Sequence, residues 1–329
     1  RLKSGTIAIA GLPSRPDNDE EPRWLMQGNQ YKLINSELEW QDQKRNAKKV
    51  LLKHVNITIN NENERHKISV KAALPENLGV SLNLKMDFTG DIFTAESINA
   101  KLFVHGLNIN FSELATGDLP FDFSFVRGRG DFSLWSTWQE TQMIDFSGSI
   151  QIRNALLQGK KKKQKKLQLE NVNLNLKLQK QDGWKLAIEN SSLSSHGIAL
   201  RIPNLAFSLQ RNDNGELVKL AANIPYLNLG HVSKIINRNS LLPQTIREPA
   251  KEFALEGVVS QLQIYADLKE KKFSVDAGLR KLSFKAHKGI PGVQNLALSL
   301  QGTESTGKIS LKSEQLGVHF HSLFRAPLY

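Results

Sequence analysis

The fold class follows from a stretch in which apolar and polar residues alternate without a break: Val80-Ser81-Leu82-Asn83-Leu84-Lys85-Met86-Asp87-Phe88. Successive side chains of a β-strand point to opposite faces, so this alternation predicts a strand with one apolar and one polar face. The same period of two recurs along most of the chain, for example over 51–59, 167–178 and 293–300. The sequence therefore predicts a mainly β protein.

Residues typical of tight turns separate these alternating runs. Asn60-Asn61-Glu62-Asn63, Gln181-Asp182-Gly183 and Asn212-Asp213-Asn214-Gly215 each lie between two predicted strands. A strand and its turn together take about 8–12 residues, a spacing that is typical of all-β proteins. We therefore expect about twenty strands, joined as successive hairpins into an antiparallel sheet.

One segment departs from the period of two. Between 229 and 253 the apolar spacing lengthens, and Val232, Ile235 and Ile236 fit one face of a helix. Pro243 suits the first turn of a second short helix. The sequence thus predicts a short helical insert and a chain in three parts: a β-sheet segment over 1–228, the insert over 229–254 and a continuing sheet segment over 255–329.

A sheet of this size must hide its apolar face. About twenty strands spaced ~4.8 Å apart would extend on the order of 100 Å, and a bare apolar face of that length would aggregate. The face is hidden if the sheet stacks on a second sheet, or if it curls so that the apolar side chains line a trough. The period of two fits both arrangements.

Composition and charge exclude several classes of function. The chain has no cysteine, which removes disulfides, thiolate metal sites and cysteine nucleophiles. The net charge is +12, and half of it lies in one run of lysines: Lys160, Lys161, Lys162, Lys163, Lys165 and Lys166. A single lysine run is typical of a solvated loop or of a polyanion contact, and it weakens the case for nucleic acid as a partner.

Catalytic and metal-binding patterns do not emerge. Ser, His and Asp residues show no spacing that orders a catalytic triad, so the chain is not expected to be an enzyme and no cofactor is predicted. His319 and His321 share one strand face, but two imidazoles without further ligands nearby favour a surface pair over a metal site. No stretch reaches the roughly eighteen apolar residues of a membrane span. We also expect the chain to be a piece of a longer protein.

Several motifs resemble the YhdP group of the AsmA-like family. The resemblance covers most of the chain and is most specific near its start. It rests on these residues: Pro22-Arg23-Trp24-Leu25-Met26-Gln27-Gly28, Trp40-Gln41-Asp42-Gln43, Leu74-Pro75-Glu76, Leu78-Gly79, Asp87-Phe88-Thr89-Gly90-Asp91, Leu134-Trp135 and Leu241-Leu242-Pro243. The lysine run is a departure from the family's pattern.

The resemblance implies a fold and a function that the composition does not. Proteins of this group are anchored in the inner bacterial membrane by an N-terminal helix, and their periplasmic part is a long curled antiparallel sheet with a hydrophobic groove, a β-taco. They are implicated in moving phospholipid from the inner to the outer membrane. The expected partners are therefore phospholipid and, through an anchor outside this chain, the membrane.

The apolar alternating positions are the candidate groove lining. They are Val80, Leu82, Leu84, Met86, Leu174, Leu176, Leu186, Ile188, Leu298 and Leu300. For each position, an ordinary packed core side chain is an equally good interpretation. The alternative function is a non-enzymatic structural or adhesive β scaffold that binds a polyanion or a glycan.

Overall fold

The computed structural model describes residues 24–41, 43, 49–91, 97–114, 123–159, 166–181, 183–238, 244–287 and 290–320. Over these residues the protein is mainly β, with 17 strands of one antiparallel sheet and four short helices. The elements are α1 (Trp24–Gln27), β1 (Gln30–Trp40), β2 (Val50–Glu62), β3 (Arg65–Ala73), β4 (Ser81–Thr89), β5 (Asn99–Asn110), α2 (Phe111–Leu114), β6 (Phe123–Gln139), β7 (Gln142–Gly159), β8 (Lys166–Gln181), β9 (Gly183–Ser195), β10 (Ile198–Arg211), β11 (Leu217–Ile224), β12 (Leu227–Asn228), α3 (Leu229–Arg238), α4 (Gln244–Phe253), β13 (Glu256–Asp267), β14 (Lys272–Phe284), β15 (Gly292–Thr303), β16 (Gly307–Leu311) and β17 (Gly317–His319).

The chain divides into two compact units. Unit 1 comprises 1–114 and 129–148, and unit 2 comprises 115–128 and 149–329. In unit 1, each strand from β1 to β6 pairs with the next. In unit 2, β8 to β11 pair in chain order. Both β11 and β12 pair with β13, which pairs with β14. β14 pairs with β15, and both β16 and β17 pair with β15.

These pairings confirm the predicted fold class, an antiparallel sheet built mainly from successive hairpins. The division into parts at 228 and 254 stays a prediction. The sequence also predicts a strand near its start, from Leu2, Gly5, Ile7 and Ile9, and these residues lie outside the described part of the chain.

Over the described residues the structure has 17 strands and not twenty, mainly because the sequence pattern divides strands that the structure shows as continuous. The alternating runs 98–104 and 107–111 fall largely within β5, and the runs 273–277 and 282–286 fall largely within β14. Each interruption is a β-bulge, where one strand carries extra residues against its partner and the alternation shifts by one. The register shifts lie between Gly106 and Ile109 in β5 and between Leu279 and Leu282 in β14.

Non-glycine residues with positive φ occur within many of the strands. Most are asparagines, whose short polar side chain makes this backbone region more accessible than it is for other residues. The bulged or bent positions are Asn35, His54 and Asn108 in unit 1 and Asn154, Asn190, Lys281 and Asn295 in unit 2. A bulge bends its strand and increases its local twist. Register shifts next to Asn35, Asn108, Asn190 and Lys281 agree with such bulges.

Few large side chains are fully buried. Among the described residues, the largest with less than 2% exposure are Phe88, Ile109, Val55 and Ser195. In unit 1, Ile109 is covered by the loop between β3 and β4, whose Leu78 carbonyl accepts a hydrogen bond from the Asn110 amide at 2.8 Å. Gly79 and Gly106 lie against Ile109 so closely that a Cβ atom at either would approach it within 3 Å.

The predicted helical insert is present in unit 2 as α3 and α4. Asn228 caps α3, because its side-chain oxygen accepts the His231 amide at 2.9 Å. Ser233 of α3 donates a hydrogen bond to the Ala250 carbonyl of α4 at 3.2 Å, and the His231 ring donates to the Ala199 carbonyl of β10 at 2.7 Å. Hydrogen bonds therefore join α3 both to α4 and to the sheet.

Candidate functional site

In unit 1 the antiparallel register brings apolar side chains of successive strands into rows. Residues that lie directly opposite each other in an antiparallel pair project from the same face, so their side chains contact across the strands. One row comprises Leu33, Ile57, Val70, Leu84, Val104 and Leu134, and the row beside it comprises Tyr31, Ile59, Ile68, Met86 and Leu102. These rows form the apolar face of unit 1.

Unit 2 has an apolar face of the same construction. One row comprises Leu178, Leu186, Phe207, Ala222, Ile264 and Val275. Beside it, Leu176, Ile188 and Leu205 pair across β8 to β10, and Ile224, Leu262, Ala277, Leu300 and Ile309 pair across β11 to β16. The first row is thus continuous across six strands, and the second is paired over two stretches, β8 to β10 and β11 to β16.

The candidate lining residues lie on these two faces. Leu82, Leu84 and Met86 lie on β4 in unit 1, and Val80 directly precedes that strand. In unit 2, Leu174 and Leu176 lie on β8, Leu186 and Ile188 on β9, and Leu298 and Leu300 on β15. The register pairs Leu176 directly with Ile188, whereas the residues on β15 belong to the same face several strands away. The lining role itself stays a prediction.

Exposure distinguishes these side chains from those of an ordinary core. Nine of the ten candidates are half-buried, and Val80 is 48% exposed. At the edge of the face in unit 2, Ile309 and Leu311 remain 66% and 62% exposed. Side chains between two packed sheets are usually buried almost completely, so the described part of the chain covers these faces only in part.

Most of the lysine run lies outside the residues that the structure describes. Lys160, Lys161, Lys162, Lys163 and Lys165 lie outside the described residues, and Lys166 is an exposed residue at the start of β8. Its role as a polyanion contact stays a prediction.

The opposite face of the sheet in unit 2 is polar and carries charges of both signs. A depression of about 780 Å³ is lined mainly by residues of this face, among them the small residues Ala187, Ser208 and Ala221 and the larger Lys177 and Tyr265. Lys177 beside it forms an ion pair with Glu189 at 3.2 Å. Sequence reasoning missed this depression because it depends on small residues that come together from several strands.

The polar face of unit 1 contains an ion pair of better geometry. Arg65 donates two hydrogen bonds to Asp87, from Nε to Oδ1 at 2.8 Å and from Nη2 to Oδ2 at 2.6 Å. The hydrogen bond from Arg65 holds the pKa of the Asp87 carboxyl below its ordinary value, and the same contact raises the pKa of Arg65. Both carboxylate oxygens of Asp87 are therefore engaged in hydrogen bonds with Arg65.

Metal binding and membrane crossing find no support in the described parts of the chain. His, Asp and Glu side chains there do not form a group of three or more that could bind a metal ion. His319 lies on β17, and His321 falls outside the described residues. None of the four described helices has the length and apolar character of a transmembrane segment.

Comparison with known proteins identifies a family. The model of the family described as the YhdP protein matches residues 2–329. No curated protein and no solved structure matches the chain. The family match extends over both units and over the motifs near residues 22–43 and 74–91 that carry the resemblance in sequence. The chain therefore belongs to the YhdP family, whose known context is the AsmA-like proteins.

Proposed function

We propose that the chain is a periplasmic segment of a lipid-transfer protein that is anchored to the inner membrane outside this segment. It holds phospholipid acyl chains against its apolar faces during transport from the inner to the outer membrane and so maintains the lipid composition of the outer membrane. Membership of the YhdP family supports this assignment. The observation that carries it is the pair of apolar rows in each unit, which run across successive strands and whose side chains are mostly only half-buried.

The energetics suit a carrier that binds without a strong polar contact. Burying one methylene group is worth about 0.8 kcal/mol, so two acyl chains supply ample binding energy from apolar contact alone. The headgroups stay in water. The protein is a passive conduit in this proposal, with no chemical step and no cofactor.

The rows are also long enough to accommodate an acyl chain. In unit 2, the row from Leu178 to Val275 crosses six strands, which spans about 24 Å at ~4.8 Å per strand. One leaflet contributes about half of the ~30 Å hydrocarbon core of a bilayer, so a single acyl chain is shorter than this row. Because the row is uniformly apolar, an acyl chain has a similar binding free energy at each position. It can therefore slide along the row.

The test is to purify the chain from bacteria, extract it with organic solvent and identify phospholipid by mass spectrometry. Leu84→Asp and Leu186→Asp place a charge within the apolar rows and are expected to reduce the bound phospholipid several-fold. The matched controls are Asn99→Asp and Ala187→Asp, which add the same charge on the opposite faces of units 1 and 2. Folding of each variant is checked by circular dichroism.

We expect the controls to retain the phospholipid of the unmodified chain. Wild-type protein without phospholipid, or equal loss in the apolar-face variants and their controls, would contradict the proposal.

A further inference from the structure

The polar face of unit 1 carries an aromatic cluster that the lipid proposal does not use. Phe103 on β5 lies directly opposite Trp135 on β6, with ring centroids 5.1 Å apart and planes tilted by 41°. His105 follows on the same face of β5, and its ring is parallel to that of Phe103 within 3° at 6.4 Å. Trp135 is 45% exposed, so this cluster is open to solvent on one side.

The ring of His105 is held in place. Its Nδ1 is hydrogen-bonded to the Ser133 hydroxyl at 2.9 Å, across the strand pair β5–β6. The three rings therefore form a platform on two adjacent strands, and their orientation is set before any ligand binds. Preorganisation of this kind lowers the entropic cost of binding.

Lysines surround this platform on the same face. Lys85 of β4 lies directly opposite Phe103, and Lys101 lies two residues before Phe103 on β5. Lys71 of β3 pairs with Asn83, which in turn lies opposite His105. Lys71, Lys85 and Lys101 are all exposed. We refer to Phe103, His105, Trp135, Lys71, Lys85 and Lys101 as the lysine–aromatic patch.

The positive charge of the patch is compensated only in part over the described residues. Asp87 lies directly opposite Lys101 on this face and attracts its charge, but both oxygens of Asp87 accept hydrogen bonds from Arg65. Over the described residues, Lys71 and Lys85 have no carboxylate within 4.0 Å, whereas Lys67 at the margin contacts Glu62 at 3.6 Å. The polar face of unit 2 differs, because Lys177 there is paired with Glu189.

Hydroxyl and amide side chains lie between the lysines. Ser69 pairs with Lys85, and Asn83, Ser133 and Thr137 lie on the same face. The surface therefore offers a few positive charges, many neutral hydrogen-bonding groups and an aromatic platform. A ligand that complements it has ring units rich in hydroxyl groups and carries an acidic group at intervals. A nucleic acid, with a charge on every unit, matches this arrangement less well.

From this complementarity we propose that the lysine–aromatic patch binds an acidic polysaccharide. A sugar ring packs its less polar face on Trp135 and Phe103, the lysines contact its carboxylates, and the neutral side chains bind its hydroxyl groups. The site lies on the face opposite the apolar rows of unit 1, so it is independent of lipid binding.

The test measures binding of the 329-residue chain to polygalacturonate by titration calorimetry at 20 and 200 mM NaCl, with neutral dextran and single-stranded oligothymidine as comparison ligands. Trp135→Ala is expected to weaken binding about fivefold, and Trp135→Tyr to retain it, since stacking needs an aromatic ring. The double variant Lys71→Gln/Lys85→Gln is expected to weaken binding about fivefold at low salt and to reduce its salt dependence.

Matched controls keep the result interpretable. Trp184→Ala removes a tryptophan of similar exposure, 38%, from unit 2, and Lys177→Gln/Lys185→Gln removes the same charge from the polar face of unit 2. Both are expected to bind polygalacturonate as the unmodified chain does. A further control replaces the six lysines of the run at 160–166 by glutamine.

Three results would overturn the proposal. Dextran bound as tightly as polygalacturonate would remove the role of charge. Oligothymidine bound more tightly, with the same dependence on Trp135, would assign the patch to nucleic acid instead. Loss of polygalacturonate binding in the glutamine variant of the lysine run, with no loss in the patch variants, would place the binding elsewhere.

Discussion

Single side chains in this protein divide into those that the fold encloses and those that it leaves half-open. Ile109 has no exposed surface, and a loop and two close-lying glycines enclose it. Leu176 and Leu84 occur in sequence patterns just as apolar, but they are only half-buried. The alternation alone could not make this distinction, because it shows which face a residue occupies and not what covers that face.

This difference predicts unequal costs of truncation. Ile109→Ala leaves an enclosed cavity and is expected to reduce the free energy of unfolding by about 3 kcal/mol. Leu176→Ala opens no enclosed cavity and is expected to cost about 1 kcal/mol, the transfer contribution of a partly exposed side chain. Urea unfolding followed by circular dichroism measures both. Equal costs would mean that Leu176 is packed in a closed core, contrary to the proposed open face.

At the scale of the strand, alternation predicts the elements well where it is uninterrupted and divides them where it is not. The runs 80–88 and 293–300 correspond closely to β4 and β15. At Asn108 and Lys281 a single residue with positive φ shifts the period, and a continuous strand looks like two. β1 has a weaker alternation that is broken at Asn35, and so it was not predicted.

The bulges provide a prediction about strand geometry. Asn190 in β9 has φ of 43° and an exposed side chain, so its effect on stability comes mainly from its backbone. Asn190→Gly is expected to be almost neutral, whereas Asn190→Val should cost about 1–2 kcal/mol, since a β-branched residue resists this conformation.

Asn204→Val is the control, because Asn204 is an exposed residue in regular pairing with Glu189, where valine suits a strand. We expect it to be neutral or slightly stabilising in the same urea experiment. A similar cost at both positions would show that the positive φ of Asn190 does not determine its preference.

At the scale of the whole molecule, the sequence predicts the class of fold and the family, but not which residues come together. The candidate lining residues were chosen from separate strands, and only the register shows that Leu176 lies opposite Ile188 or that Leu84 lies between Val70 and Val104. The lysine–aromatic patch was missed for the same reason. Lys71, Lys85 and Lys101 are separated in sequence and form no run, whereas the lysines at 160–166 are consecutive enough to indicate a polyanion contact.

The central proposal is that one face of the sheet contacts acyl chains, and site-specific photo-crosslinking in bacteria tests it most directly. A benzophenone amino acid is placed in turn at positions 82 to 86 of β4 and 297 to 300 of β15, and covalent lipid adducts are identified by mass spectrometry. Lipid adducts are predicted at Leu82, Leu84, Met86, Leu298 and Leu300, and not at Asn83, Lys85, Ala297 and Ser299. Adducts without a period of two, or no lipid adducts at any position, would contradict it.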